Sequence, residues 1–293
     1  MLTTTALDRA AAFVTKNARL LDRRRFALAT GRGDAAGLLA ALAGYGNPDG
    51  GFGWGLEPDL RSPESQPAGA LHAFEVFEEA GPDGSGTTAR LCDWLASVTL
   101  PDGGLPFALP LTEPAGSSPW WVGADPVESS LHLTAAITAA AQEAAKNDPA
   151  IRDHAWLAQA TDYCRQRITA LAEPGPAMEF RYVLWFLDAV HDVLPGAPAE
   201  LQRLGKFVPE NGILAVEGGT EDEAMRPLDF SPRAGRPLRD IMPPRAIAAE
   251  LDRLAGLQQD DGGWVVDFAS QTEAGALEWR GYATVSAVKI LSS

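Results

Sequence analysis

The sequence predicts an all-α protein folded as an α/α toroid, a barrel of about five to six helical hairpins. A turn built on Asp-Gly-Gly recurs at Asp49, Asp102 and Asp261. The first two copies lie 53 residues apart and the last two 159 apart, three times that spacing. Every strongly periodic segment between the turns has the apolar spacing of a helix. A repeated unit of two helices and one turn follows from these observations.

Helices are predicted on both sides of the turns, after a first helix over residues 6–29 that we expect to meet the C-terminal helix. The pairs are 34–44 with 64–80, 86–97 with 127–145, 151–171 with 178–194, and 243–258 with 275–292, while 198–206 opens a pair whose second helix is not identifiable. Glycine permits the positive φ that lets a chain leave a helix abruptly. Weaker copies of the turn are expected at 209–213 and 173–175.

Composition narrows the function classes. The net charge of -15 and the pI near 4.7 disfavour nucleic acid and anionic lipid as partners. With 46% hydrophobic and 22% charged residues, the chain can bury a large core. Two cysteines give no disulfide framework, and residues 1–9 lack the pattern of a secretion signal. We therefore expect a cytoplasmic protein without a membrane segment, and the sequence gives no signal for its oligomeric state.

Two of the turns resemble the repeats of a known group of enzymes. Asp-Gly-Gly-Phe at 49–52, followed by more glycines and an apolar helix, resembles the repeat of protein prenyltransferase β subunits. Leu-Gln-Gln-Asp-Asp-Gly-Gly-Trp at 257–264 resembles the QW motif of squalene-hopene-type terpenoid cyclases. The resemblance covers residues 34–292 as a repeat pattern. It implies one toroid domain over residues 1–293 whose central cavity holds an isoprenoid or another small hydrophobic molecule, and it leaves the reaction open.

In such toroids the loops before the inner helices surround one mouth of the cavity. In this chain Glu57 and Asp59 lie on either side of a proline that stiffens the first of these loops, and Arg61 follows two residues later. Burial would raise the pKa values of the two acids, while a nearby arginine would lower them. We expect Asp59 to handle a proton, Glu57 to be its partner, and Arg61 to orient the pair or to meet an anionic group.

Further candidates for substrate binding lie in the other loops of this mouth or on the helices that follow. They are Trp54, Glu64, Trp120, Trp121, Asp125, Glu128, Arg181, Tyr182, Trp185, Glu278, Trp279 and Arg280. Aromatic rings can stabilise a carbocation by about 0.5–2 kcal/mol each. Taken singly, acids at helix N-termini also serve as caps and tryptophans also pack in cores. Capping does not explain Arg61, Arg181 and Arg280, because a positive charge is not favoured at a helix N-terminus.

The catalytic signatures of the resembled enzymes are missing or misplaced. Class II cyclases carry Asp-x-Asp-Asp, which does not occur in this chain. The zinc ligands of prenyltransferases are matched superficially by Asp162, Cys164 and His191, but the first two fall inside a predicted outer helix. We expect no metal and no cofactor, and Mg²⁺ enters as an option only for a substrate that carries a diphosphate.

The leading hypothesis is a terpene cyclase-like enzyme, of the lyase or isomerase class, that lacks the usual acid motif. One alternative is a toroid that binds a hydrophobic ligand or a partner without catalysis, and another is a prenyltransferase-like transferase. Residues 207–242 form a candidate lid, because a connection of this length in a compact domain is often a binding element. Between residues 226 and 245 it has five arginines and two aspartates.

Overall fold

The computed structural model describes residues 2–293 and shows an all-α chain. Its α-helices are α1 (Thr4–Asn17), α2 (Leu20–Ala29), α3 (Ala35–Leu42), α4 (Pro67–Ala80), α5 (Thr87–Val98), α6 (Pro119–Val122), α7 (Leu131–Ala145), α8 (Pro149–Arg152), α9 (Ala155–Thr169), α10 (Ala177–Ala189), α11 (Ala197–Gly205), α12 (Pro227–Phe230), α13 (Pro237–Ile241), α14 (Pro244–Gly256) and α15 (Glu273–Ser292). Two short antiparallel strands, β1 (Leu214–Ala215) and β2 (Ala224–Met225), are the only strands in this part of the chain. No helix within residues 2–293 is long and apolar enough to cross a bilayer.

The predicted helices are present, but several boundaries differ. The helix expected over 6–29 is interrupted at Ala18 and Arg19, whose backbones are extended, so it forms α1 and α2. The helix expected from residue 64 begins at Pro67, because the residue before a proline avoids the helical conformation and Gln66 is extended. The unidentified second helix of the fourth pair is the four-residue α12.

The three strong turns share one hydrogen-bonding pattern. In each, the aspartate Oδ1 accepts a hydrogen bond of 3.0–3.1 Å from the N–H of the second glycine, and the first glycine has φ between 93° and 95°. Asn211 takes the place of aspartate in a fourth copy, where it accepts from the N–H of Ile213 and Gly212 has φ of 69°. The copy expected at 173–175 is different, since Gly175 does not have a positive φ.

Replacing Gly262 by alanine is expected to lower the free energy of unfolding by about 2 kcal/mol. Its φ is 95°, and an added Cβ would overlap the carbonyl oxygen of Arg9 on α1. Gly256 is the matched control, because it lies at the end of α14 with open space around it and alanine suits a helix. Urea unfolding of both variants checks this, and equal midpoints would contradict the conformational requirement.

The helices contact one another in an order that returns to its start. The contacts run from α2 to α4, α4 to α7, α7 to α10, α10 to α12, α12 to α14, α14 to α15, and α15 back to α2. As expected for the N-terminal segment, α1 also contacts α15. The helix α7 is buried on nearly every side, and its alanines at 135, 136, 139 and 141 let its neighbours approach closely.

The segment 207–242 is packed against the helices by apolar side chains. Phe230, Leu238 and Met242 are buried in the same core cluster as α10. The indole Nε1 of Trp185 donates a hydrogen bond of 2.7 Å to the carbonyl oxygen of Phe230. The candidate lid is therefore anchored in the core at α12 and α13.

Two arginines of this segment bind acidic side chains near the C-terminal ends of three helices. Arg233 contacts Glu78 of α4 at 2.6 Å and Glu143 of α7 at 3.1 Å. Arg236 contacts Glu143 at 2.8 Å and Asp188 of α10 at 3.0 Å. Positive charge is favoured at helix C-termini, so these contacts fix the segment across α4, α7 and α10.

Candidate functional site

The loop before α4, residues 54–66, is held in a defined conformation. Trp54 has φ of 58° and is the only non-glycine residue with a positive φ in residues 2–293. Arg19 donates a 3.0 Å hydrogen bond to the carbonyl oxygen of Leu56, and the N–H of Ser118 donates one of 2.8 Å to that of Asp59. A strained residue in a loop fixed from two sides is a common feature of functional sites.

The acid–histidine cluster is formed by Glu57 and Asp59 of this loop together with His72 and Glu75 of α4. His72 Nε2 lies 2.8 Å from Glu57 Oε2, and His72 Nδ1 lies 3.1 Å from Glu75 Oε2. The hydroxyl of Tyr282 donates a hydrogen bond of 2.8 Å to Glu75 Oε1. Glu57 Oε1 accepts a hydrogen bond from the N–H of Asp59 at 3.1 Å. The cluster thus joins the loop, α4 and α15.

The charges in this cluster stabilise one another. Burial acts to lower the pKa of His72, but Glu75 and Glu57 outweigh it and raise the pKa to about 9. Burial would raise the pKa of Glu75, yet His72 and Arg25 together hold it at about 2. Arg25 in turn binds Glu79 at 2.7 Å. His72 is therefore an imidazolium between two carboxylates at neutral pH.

Asp59 is the carboxylic acid of the cluster whose ionisation is disfavoured. Its residue is only 4% exposed, and burial raises its pKa. Hydrogen bonds from Ser270 Oγ at 2.7 Å and Trp279 Nε1 at 2.8 Å lower the pKa, while the charge of Glu57 raises it again. The net effect is a raised pKa, so the neutral acid is present at a higher pH than for a free aspartate.

Aromatic rings surround the indole that holds Asp59. The ring of Trp279 meets Phe268 edge-on at 5.2 Å, Tyr282 at 5.5 Å and His72 at 6.2 Å, measured between centroids. Such edge-to-face packing places the edge of one ring against the π face of the next and so fixes the rings relative to one another. An apolar wall therefore lies next to a carboxylic acid.

A second group, the arginine–aromatic cluster, comprises Arg181, Tyr182, Trp185, His132 and Phe107. The guanidinium of Arg181 lies 4.4 Å from the ring centroid of Trp185 and 5.0 Å from that of Tyr182. His132 stacks on Tyr182 at 5.0 Å and meets Phe107 edge-on at 5.5 Å. Burial, aided by the charge of Arg181, lowers the pKa of His132 to about 4, so this imidazole is neutral.

The charged groups of the two clusters influence one another. Burial acts to lower the pKa of Arg181, but nearby groups outweigh it and raise the pKa. They include Glu75 of the acid–histidine cluster and Tyr282, which is bonded to Glu75. The Glu75 side chain is 17% exposed, whereas its neighbours Phe74 and Val76 are completely buried. Glu75 is therefore partly accessible in an otherwise buried stretch of α4.

The structure brings many of the sequence-predicted residues together. Asp59 and Glu57 belong to the acid–histidine cluster, Trp279 binds Asp59, and Arg61 forms an ion pair with Glu278. The ring of Trp121 stacks on Phe107 at 4.6 Å, which joins it to Arg181, Tyr182 and Trp185. Glu64 accepts hydrogen bonds from Ser62 and Thr112 and so fixes the loop.

Other predicted residues lie apart from both clusters. Trp54 is 57% exposed and donates to Asn47, and Trp120 is 48% exposed. Asp125 and Glu128 are exposed, and Asp125 accepts a hydrogen bond from the N–H of Val127 within its own turn. Arg280 binds Asp261 of the third strong turn at 2.8 Å. In the other two strong turns a serine takes this role, since Ser65 binds Asp49 and Ser129 binds Asp102.

The two clusters and their direct partners also include residues that the sequence does not predict as site residues, namely Arg25, His72, Glu75, His132 and Tyr282. Two of them could be recognised from the sequence, because His72 and Glu75 stand three residues apart in the otherwise apolar stretch 67–77. A charged pair within a buried helix needs partners from elsewhere in the chain. Tyr282 and Arg25 are such partners, and they are distant in sequence.

Within residues 2–293, no three His, Cys, Asp or Glu side chains are arranged to hold a metal ion. The residues that superficially match a zinc triad have other partners. Asp162 is exposed and bound to Arg165 at 2.6 Å. Burial raises the pKa of Cys164 to about 12, which disfavours the thiolate that zinc binds.

No family model matches this chain, and no curated protein shows a significant match to it.

Proposed function

We propose that this chain is a terpene cyclase-like enzyme that performs acid–base chemistry on an isoprenoid or a similarly hydrophobic substrate. The observation that carries the proposal is Asp59, a buried carboxyl group with a raised pKa that is bonded to the indole of Trp279. Raised carboxyl pKa values and apolar surroundings are typical of general acids. The absence of Asp-x-Asp-Asp means that Asp59 serves without the usual neighbouring acids.

The architecture that we propose is an α/α toroid over residues 1–293. The circular order of helix contacts supports it, as do the four copies of one turn. In a toroid, α2, α4, α7, α10 and α15 would form the inner ring. The two clusters would then line its centre, and the arginines of segment 207–242 would close the end opposite the loop 54–66.

The proposed reaction is an isomerisation through a carbocation. Neutral Asp59 gives its proton to one carbon of a C=C bond, so that a C–H bond forms and the other carbon becomes cationic. The aromatic rings stabilise this cation by about 0.5–2 kcal/mol each. Loss of a proton from an adjacent carbon to the carboxylate restores the acid and forms a new double bond. No other reactant is needed, and ring closure can precede the last step.

One observation favours the alternative of ligand binding without turnover. Both oxygens of Asp59 already accept hydrogen bonds, and both nitrogens of His72 already face carboxylates. A site whose polar atoms are satisfied in this way is suited to hold a ligand in a fixed orientation. Turnover is the property that separates the two functions.

Asp59→Asn is expected to reduce turnover about 10²-fold, because asparagine keeps the shape but cannot give a proton. The assay incubates the purified protein with linear isoprenoid hydrocarbons, alcohols, carboxylic acids and diphosphates and follows products by mass spectrometry. Glu57→Gln should also lower turnover. The control is Asp252→Asn on α14, whose side chain is exposed. A wild type that binds these compounds without converting any would favour the binding function.

A further inference from the structure

Arg181 carries a positive charge for which the protein provides no direct partner. Within residues 2–293 its guanidinium donates no hydrogen bond, and no carboxylate lies within the 4.0 Å of an ion pair. Its Nε is shielded from solvent and unbonded. The other central arginines are paired, Arg19 with Asp22 at 2.9 Å and Arg25 with Glu79 at 2.7 Å. Arg181 is therefore an exception that needs an explanation.

The surroundings of Arg181 compensate this charge only in part. The rings of Trp185 and Tyr182 stabilise the guanidinium through cation–π contact. Removing a cation from water costs more than such contacts return. The carboxylate of Asp229 also attracts Arg181, but its Oδ2 accepts a 2.8 Å hydrogen bond from the N–H of Arg226 at the start of α12. An anion from outside the chain would complete the site.

We infer that Arg181 binds the carboxylate of an amphipathic substrate whose apolar chain lies against the aromatic rings between the two clusters. A guanidinium with free N–H groups matches a carboxylate in plane and can bind it with two parallel hydrogen bonds. The neutral imidazole of His132, stacked on Tyr182, offers one more polar contact at the same place. This inference rests on the proposed function, since it names the class of hydrophobic substrate.

A carboxylate fits the site better than a diphosphate because of the charges nearby. Burial raises the pKa of Tyr182, and the charges of Glu75 and Glu57 raise it further, so these acids act on the arginine–aromatic cluster. Arg181 is the one unpaired cation of the two clusters among the described residues, and its single charge balances one negative charge. A diphosphate would bring additional negative charge next to these carboxylates, which is unfavourable at short range.

The test measures binding of three probes by isothermal titration calorimetry: dodecanoate, dodecanol and dodecyl phosphate. Wild type should bind dodecanoate at least tenfold more tightly than dodecanol, and more tightly than dodecyl phosphate. Arg181→Gln should bind dodecanoate and dodecanol within about twofold of each other, while Arg181→Lys should keep part of the preference. The matched control is Arg165→Gln on α9, because Arg165 is 45% exposed and lies outside both clusters.

Equal affinity of wild type for dodecanoate and dodecanol would overturn the inference, and so would an unchanged preference in Arg181→Gln. Tighter binding of dodecyl phosphate would overturn the choice of a carboxylate. Asp59→Asn separates this inference from the proposed function, because it removes the acid and leaves Arg181. A carboxylate preference that persists in Asp59→Asn, together with a wild type that converts no isoprenoid, would keep the inference and reject the enzyme.

Discussion

Glu75→Gln is expected to lower the free energy of unfolding by about 3–5 kcal/mol at pH 6. Glu75 holds His72 at 3.1 Å and Tyr282 at 2.8 Å, and Arg25 lies 3.6 Å away. At pH 6 His72 is protonated in both the folded and the unfolded chain, so glutamine would leave a buried imidazolium with one carboxylate fewer. Removing one partner of a buried ion pair costs more stability than the intact pair contributes, because the other charge is left buried without a partner.

Urea unfolding at pH 6 followed by circular dichroism measures this loss. Glu173→Gln is the control, because Glu173 is exposed in the connection between α9 and α10 and its replacement should change stability by less than about 0.5 kcal/mol. In the double variant with His72→Gln, most of the loss should be recovered, since no buried imidazolium remains. A loss below about 1 kcal/mol in Glu75→Gln would show that solvent compensates the charge.

Local chemistry explains why the turns and most helices could be predicted. In each strong turn the aspartate carboxylate and the backbone N–H that it binds are two residues apart, and the glycine with positive φ stands between them. The same spacing holds with Asn211 in the fourth copy. In segment 173–175 the position between the acid and the N–H is Pro174, whose ring fixes a negative φ, so the segment forms a different connection.

The site could be predicted only in part, because its contacts join residues far apart in the chain. The sequence indicated Glu57 and Asp59 from their loop, and Trp279 from its helix. It could not show that the indole of Trp279 binds Asp59, since 220 positions separate them. The same is true of Tyr282 and Glu75, which are 207 positions apart. Periodicity predicts which face of a helix is buried, and it carries no information about which faces meet.

Arg280 is a residue that the sequence predicts for the site but that the structure places elsewhere. It follows the predicted pattern of an arginine beside an aromatic residue near a helix start, as Arg181 does. In the structure Arg280 binds Asp261 and lies 4.5 Å from the ring centroid of Phe13, while Arg181 has no charged partner within reach of an ion pair. Only the surroundings distinguish an arginine that supports a turn from one that can bind a ligand.

The stability of the protein should fall by about 3 kcal/mol between pH 6.5 and pH 9 because of His72. The pKa of His72 is about 9 in the folded chain and about 6.5 when unfolded. Between these values the folded chain holds a proton that the unfolded chain has lost, so rising pH favours unfolding. This stabilisation is complete below pH 6.5 and is lost as the pH passes through 9.

Glu75 produces the opposite slope in acid. Its pKa is about 2 in the folded chain against an ordinary value of 4.5, so its stabilisation is complete above pH 4.5 and is lost as the pH falls through 2. The raised pKa of His72 and the lowered pKa of Glu75 arise from the same ion pair, so their contributions to stability are not added together. Stability should therefore show a plateau between about pH 4.5 and pH 6.5, as far as this pair determines it.

Urea unfolding at intervals from pH 5 to pH 9.5 tests the alkaline slope, with His72→Gln as the decisive variant. Glutamine cannot take up a proton, so the difference in unfolding free energy between wild type and His72→Gln should shrink steadily from pH 6.5 to pH 9. His191→Gln is the control, because His191 lies at the end of α10, outside both clusters, and is 25% exposed. This replacement should leave the alkaline slope caused by His72 in place. If the wild type and His72→Gln instead lost stability in parallel, His72 would be neutral in the folded protein at pH 7, and the buried imidazolium between Glu57 and Glu75 would have to be abandoned.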